Sequence, residues 1–435
     1  MSNHVQLFCD FIAKSPSAFH AADSICTALR SAGFTELNEC APWTIVPGGK
    51  YFVTRNRSAV VAFAVPETGF AHFQIVSSHS DSPTFKLKHN AEDEAAGGHI
   101  RLNVERYGGM IMSTWFDRPL SIAGRVLVRN GHALETRLVD FGRDAVLIPN
   151  MPIHFNREVN DGYKYNAQVD LLPLYGSKGA KGMLRAELAK AAGCEEDAIV
   201  AQDLFLYPRT PGSVWGAQNE FFSCPRIDDL ECAYTSMAAF LTAKAEGHIN
   251  VLAVMDNEEV GSGSKQGADS TFLGDVFARV GEALGAKDSE IRAAIASSFM
   301  VSADNAHAVH PNHPEKYDAQ NRTVMNGGVV IKHNANQKYT TDAVSCAIFS
   351  EICRQAGVPV QHFANRSDVL GGSTLGNIAN THISMNTVDI GLAQLAMHSS
   401  YETAGCDDVD YMLRALHRLY SANIVMQADG AFVIE

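Results

Sequence analysis

Short, evenly apolar runs alternate with stretches of helical periodicity along this chain, and a segment of different texture interrupts that rhythm. The clearest apolar run is residues 251–255, Val-Leu-Ala-Val-Met, which gives way at once to Asp256-Asn257-Glu258-Glu259 and then to Gly-Ser turn chemistry. A strand buried on both faces reads continuously hydrophobic rather than alternating, so this run predicts a central strand. Comparable runs lie at residues 59–65, 73–76, 299–303, 329–333 and 385–390. Between them the pattern is helical. Ser15-Pro16-Ser17 is a helix start, Phe19, Ala22, Cys26 and Leu29 follow at helical spacing, and Gly33 closes the element. Leu230, Tyr234, Met237, Ala238 and Leu241 share one helical face, Thr341-Asp342-Ala343 opens a helix to about Gly357, and a terminal amphipathic helix covers residues 407–421.

From about residue 87 to residue 218 the rhythm changes. Strand-like pieces such as residues 124–129 are separated by tight turns, Asn130-Gly131 is a hairpin signal, and helical periodicity is scarce until residues 182–189. The predicted fold class is therefore α/β: a mixed sheet with helices on both faces, built from residues 1–86 and 219–435. A smaller, mostly antiparallel β domain over 87–218 interrupts it. At 435 residues the chain exceeds what a single core usually supports, which agrees with two domains.

Composition narrows the function. A net charge of −13 argues against nucleic acid or an anionic membrane as partner. No apolar run approaches the roughly 20 residues of a membrane helix, and the start lacks the basic and apolar regions of a signal peptide. Nine scattered cysteines, with no Cys-x-x-Cys, predict free thiols in a reduced cytoplasmic setting.

Acids and imidazoles recur at predicted strand ends or helix starts: His79, Asp81, Asp228, Glu258, Glu259, Asp304 and His398. Open α/β sheets gather ligands at such strand ends. Taken singly each has an ordinary explanation, Asp228 as a helix cap, Asp304 as a turn residue, His398 as a core histidine. Together, two histidines and three carboxylates suit a pair of divalent metals. Zinc fits imidazole with carboxylate, and manganese or cobalt fits as well. Asp81, two residues after His79, is placed to orient that imidazole, and Glu258 is left over as a proton acceptor.

His79-Ser-Asp-Ser-Pro83, Arg226-Ile-Asp-Asp-Leu230, Asp256-Asn-Glu-Glu-Val-Gly-Ser262, Ser302-Ala-Asp-Asn-Ala-His-Ala-Val-His-Pro-Asn312 and Gln394-Leu-Ala-Met-His-Ser399 occur in one order along nearly the whole chain. This series resembles the aspartyl aminopeptidases, dizinc exopeptidases with an inserted dimerisation domain. The resemblance implies Asp228 bridging two metals, with His79 and Asp304 on one side and Glu259 and His398 on the other. It implies Glu258 as the base toward a water between the metals, and Asp81 as the orienting carboxylate. It adds Lys332 opposite an acidic substrate side chain, Tyr339 as a substrate contact, and His154 reaching a neighbouring subunit's site, where it stabilises an oxyanion or serves as a further metal ligand. Asp229 stands where relatives often carry asparagine, and Asp228 is the expected bridge. The implied function is removal of an N-terminal aspartate or glutamate from small peptides, by dimers assembled into a tetrahedral dodecamer.

Two other readings compete. Ser262-Gly-Ser-Lys265 satisfies the Ser-x-x-Lys pattern of some acyl-transfer enzymes, with Ser262 as nucleophile, although no Lys-Thr-Gly partner is present. A peptidase-like chain can also act as a non-catalytic peptide-binding scaffold, but every matched ligand and the base are retained here.

Overall fold

The computed structural model describes residues 3–244 and 246–435. Its largest sheet has nine strands: β1 (Thr35–Glu36), β2 (Lys50–Arg55), β3 (Ala59–Ala64), β4 (Phe73–His79), β5 (Ile249–Met255), β6 (Phe299–Ala303), β7 (Val329–His333), β8 (Val360–Ala364) and β9 (Asn386–Gly391). Their spatial order is β1-β2-β3-β5-β4-β6-β9-β7-β8. The four central strands β5, β4, β6 and β9 run parallel, whereas β2–β3, β3–β5 and β9–β7 pair antiparallel. The sheet is mixed, as expected, and the apolar runs supply its central strands.

Every side chain of β5 is buried, because helices cover both faces. Ile227–Thr242, Ala343–Ala356 and Cys406–Ser421 pack on one face through Leu230, Phe349 and Leu416. Phe272–Ala283 and Leu375–His382 pack on the other through Phe277 and Leu375. Each fully buried Val or Leu of β5 contributes about 1.5–3 kcal/mol.

Two further sheets matter for function. Six antiparallel strands between Thr84 and Gly176 and at Ile199–Pro208 form a layer of their own, with the helix Met183–Ala192 seated on it and a separate core around Leu102, Ile122 and Leu188. A five-stranded sheet joins Ser213–Trp215, Phe221–Cys224, Glu402–Gly405, Ala393–Leu395 and Ala306–His307. It draws together segments that are distant in sequence. All nine cysteines are free thiols, and no helix of the described residues is long and apolar enough to cross a membrane.

Candidate metal centre

The three neighbouring parallel strands β5, β4 and β6 end side by side, with His79 opposite Met255 in the register. His79 closes β4, Asp256 to Glu259 follow β5, and Asp304 follows β6, so their side chains meet over one sheet edge. The small five-stranded sheet brings the rest. Its strand Phe221–Cys224 leads into Asp228, and its strands Ala393–Leu395 and Glu402–Gly405 flank the turn that carries His398.

His79, Asp228, Glu258, Glu259, Asp304 and His398 line one cavity of about 150 Å³, together with Lys332 and Tyr339. The carboxylate of Asp228 spans the two imidazoles. Its Oδ1 lies 3.5 Å from His79 Nε2 and its Oδ2 lies 3.2 Å from His398 Nε2. His398 Nε2 is also 3.4 Å from Glu259 Oε1. Donor atoms of His79, Asp228, Asp229 and Asp304 fall within 4.8 Å of one another, as do those of Asp228, Glu259 and His398, and those of His79, Glu258 and Glu259. Asp228 belongs to both of the first two groups. Asp229 also accepts the backbone N–H of His79 at 3.0 Å, and the Asp228–Asp229 peptide is cis.

The electrostatics ask for a cation. Burial and crowding with Asp228 push the Glu259 carboxyl well above its ordinary range, and burial with the neighbouring Asp304 and Asp228 does the same for Asp229. Burial and the charges of Asp304, Asp81 and Asp228 raise Glu258 to about 8, against the pull of His79. Burial opposes a charged His79, yet Asp229, Asp228 and Asp81 hold it well above the ordinary imidazole range. His398 is likewise raised to about 10 by Asp228 and Glu259 despite burial. Asp228 Oδ1, Asp229 Oδ1 and Glu259 Oε1 are buried without a hydrogen-bond partner, which ordinary folded structure avoids. Imidazole with carboxylate is the donor set of zinc, so these residues fit the metal.

Other expected residues sit differently. His79 Nδ1 meets the backbone carbonyl of Asp81 at 3.1 Å and its carboxylate at 3.4 Å. That carboxylate also accepts the N–H groups of Glu258 and Glu259 at 3.1 and 3.2 Å and the Tyr107 hydroxyl at 2.7 Å. Asp81 therefore fixes the acidic turn after β5 as well as the imidazole. Lys332 is buried, with its ammonium donating to the carbonyls of Asp304 and Asn305 at 2.7 and 3.3 Å and lying 5.2 Å from the centre of the Tyr339 ring. His154 is exposed in the loop after residue 150 and lies outside the cavity wall. Ser262 Oγ is buried without a partner and is also outside it.

Three groups in the site carried no sequence signal. Glu402 Oε1 accepts from the His398 N–H at 2.7 Å and Gln394 Nε2 at 3.2 Å, while Oε2 accepts from the N–H groups of Ile227 and Asp228 at 2.7 and 3.2 Å. One carboxylate thus ties the His398 turn to the Asp228 segment. Tyr107 and the Gly109 carbonyl, which accepts from His398 Nδ1 at 2.8 Å, reach in from the antiparallel layer. His307 also lines the cavity, and the histidine-rich stretch after Asp304 is the one hint of it.

Residues 11–420 match the family described as aminopeptidase I zinc metalloprotease (M18). The chain is 47% identical over 421 residues to a probable M18 family aminopeptidase 2 of Clostridium acetobutylicum, covering 95% of this chain and 97% of that protein. Among solved structures, a chain of a complex of Ape4 and Nbr1 superposes with a TM-score of 0.93 at 34% identity, covering 96% of this chain and 85% of that one. The mApe1 dodecamer of S. cerevisiae superposes at 0.85 with 27% identity and 96% coverage of both chains. Imidazoles and carboxylates gathered at the ends of parallel strands, on a fold shared from end to end with these enzymes, place the chain in the M18 family of zinc metallo-aminopeptidases.

Proposed function

We propose that the chain is a two-zinc aminopeptidase that releases N-terminal aspartate or glutamate from small peptides, with Glu258 as the general base. The observation that carries this reading is the sharing of Asp228 between two donor groups, with Glu258 in the same cavity. Asp228 would bridge, His79 and Asp304 would hold one ion, and Glu259 and His398 the other. Manganese or cobalt would suit the same donors. When bound, such ions would polarise the scissile carbonyl and lower the pKa of a water toward neutrality.

The chain's own groups do the rest. Glu258 takes the proton of the attacking water and returns it to the leaving amine nitrogen. Asp81 holds the backbone of Glu258 so that its carboxylate faces the cavity. Lys332 is the one lysine or arginine among the described residues of the cavity wall, which makes it the group to pair with an acidic side chain. The acidic surface gives such substrates no long-range attraction, so the selection has to be local.

Assembly follows the same reading. Met151, Ile153 and Phe155, the last 83% exposed, surround His154 on the surface. Apolar tips of this kind mark interaction sites, and a second copy would cover them while carrying His154 to its neighbour's centre. We extend this to a dodecamer built from dimers, since the relative mApe1 is a dodecamer. Free thiols fit a cytoplasmic setting.

The test of the specificity is Lys332→Met assayed on aspartyl and leucyl substrates. The ratio of the two kcat/KM values should fall about tenfold or more, since a charged hydrogen bond is worth about 1.5–3 kcal/mol. An unchanged ratio would mean that another group selects the side chain.

A further inference from the structure

Behind the catalytic cavity, on the opposite face of β7, a second set of metal-binding side chains converges. Ile331 of β7 packs beneath the helix Ala343–Ala356 with Ile348 and Phe349, so the strand's alternation puts His333 on that helix face and Lys332 on the cavity face. His362 comes from the neighbouring edge strand β8, and Cys346 from the first turn of the helix. His333 Nε2 and His362 Nδ1 lie 3.0 Å apart, and ligand atoms of all three residues fall within 4.8 Å of one another.

We propose that His333, His362 and Cys346 form a second, non-catalytic site for a zinc-like transition-metal ion. Two imidazoles and a thiol select zinc, cobalt or copper over magnesium and calcium, which prefer oxygen. Three protein ligands with an exposed side leave a fourth position for water, and His362 is exposed whereas His333 and Cys346 are half-buried. Burial and the adjacent His362 keep His333 below its ordinary range, hence neutral and able to donate a lone pair. An ion here would pin the edge strand to the helix that covers it. The site shares no donor with the catalytic centre.

That last point supplies the test. The catalytic donors contain no sulfur, so a thiolate-to-cobalt charge-transfer absorption reports only on a cysteine site. Cobalt(II) is added to the metal-stripped enzyme, so that no zinc competes for the donors, and bound metal and near-ultraviolet absorption are followed together. The expected result is a thiolate band together with one cobalt per chain beyond those the catalytic donors take, both lost in Cys346→Ser and in His362→Gln. Cys40→Ser, which removes an exposed thiol elsewhere, should retain both, and aminopeptidase activity should persist in all three variants. Absence of the band, its survival in Cys346→Ser or its loss in Cys40→Ser would overturn the proposal. The arrangement is then no more than the His333–His362 hydrogen bond and the contact of Cys346 Sγ with Ser350 Oγ at 3.9 Å.

Discussion

Replacing Glu402 by glutamine alters one atom of a side chain that touches no substrate, yet it should loosen the metal centre. All four neighbours of this carboxylate are donors: the N–H groups of Ile227, Asp228 and His398 and the amide of Gln394. Burial and the charge of Asp228 push Glu402 up to about 8, but a protonated carboxyl would find no acceptor for its O–H, so the arrangement is built for the anion. Glutamine can turn its oxygen to only one pair of donors and sets its NH₂ against the other. Two buried donors are then unsatisfied, at about 1–3 kcal/mol each. Either the Asp228 segment or the His398 turn must shift, and each carries a proposed metal donor. Changes behind first ligands typically weaken metal affinity about 10–100-fold, and the larger figure corresponds to about 2.7 kcal/mol. That fits within the strain just counted, and the remainder should appear as lower stability of the metal-free protein. Equilibrium dialysis against graded chelator, with metal counted per chain, measures the first effect, and denaturant unfolding of the stripped protein measures the second. If Glu402→Gln holds metal as tightly as the parent and unfolds at the same denaturant concentration, Glu402 does not position the centre.

Other consequences of the geometry are open to measurement. Glu258→Gln keeps shape but cannot accept a proton, so kcat should fall about 10²–10⁴-fold with metal content unchanged, and a loss of only a few-fold would remove Glu258 from the base role. Tyr107→Phe deletes the hydroxyl that donates to Asp81 and accepts from Asn257 Nδ2, both at 2.7 Å. The stranded amide donor should cost about 1–3 kcal/mol in denaturant unfolding, with a parallel rise in chelator sensitivity. Metal removal should create a pH dependence of stability. In the stripped protein Glu258 titrates near 8 and Asp256 near 7, both raised by burial and by the charge of Asp81 among other neighbours. The folded state then binds protons that the unfolded state has released, so stability is full below the ordinary carboxylate range and falls as pH rises through about 8. Thermal midpoints of stripped and zinc-loaded protein across that interval should diverge, and parallel curves would refute the argument.

The extent to which this centre is legible without coordinates depends on what each residue does. The apolar runs of β4, β5 and β6 announce strands because burial on both faces leaves no polar positions, and His79, Glu258, Glu259 and Asp304 are readable as strand-end residues. Asp228 is readable at a helix start and His398 beside an apolar run, and the motif series assigns them their roles. What escapes, Asp81 apart, is what acts through hydrogen bonds across the fold. Glu402 reads as one acid in a turn, yet pairing of its strand with Phe221–Cys224 sets it beneath the Asp228 segment. Tyr107 reads as the end of a strand in a different layer, and its hydroxyl meets Asp81 only because that strand runs back to the sheet edge. The strand β2 is also hard to read, since Lys50 and Arg55 bracket a short apolar core, and the terminal hairpin Ile424–Ala428 with Ala431–Ile434 is half-exposed and weakly patterned. The first-contact donors are thus legible because chemistry restricts them to a few residue types at strand ends. The groups that hold those donors in place are selected by the position of a backbone N–H or carbonyl, and many side chains could occupy such a position. Lys332 lies between these cases: the motif points it at a substrate, while the fold gives its ammonium two backbone carbonyls beside Asp304. On the proposed function, an incoming carboxylate would share an ammonium that already holds the backbone beside Asp304, a proposed metal donor. On that geometry Lys332→Met should weaken metal retention as well as selectivity, and a variant that loses selectivity with metal affinity intact would separate the two roles.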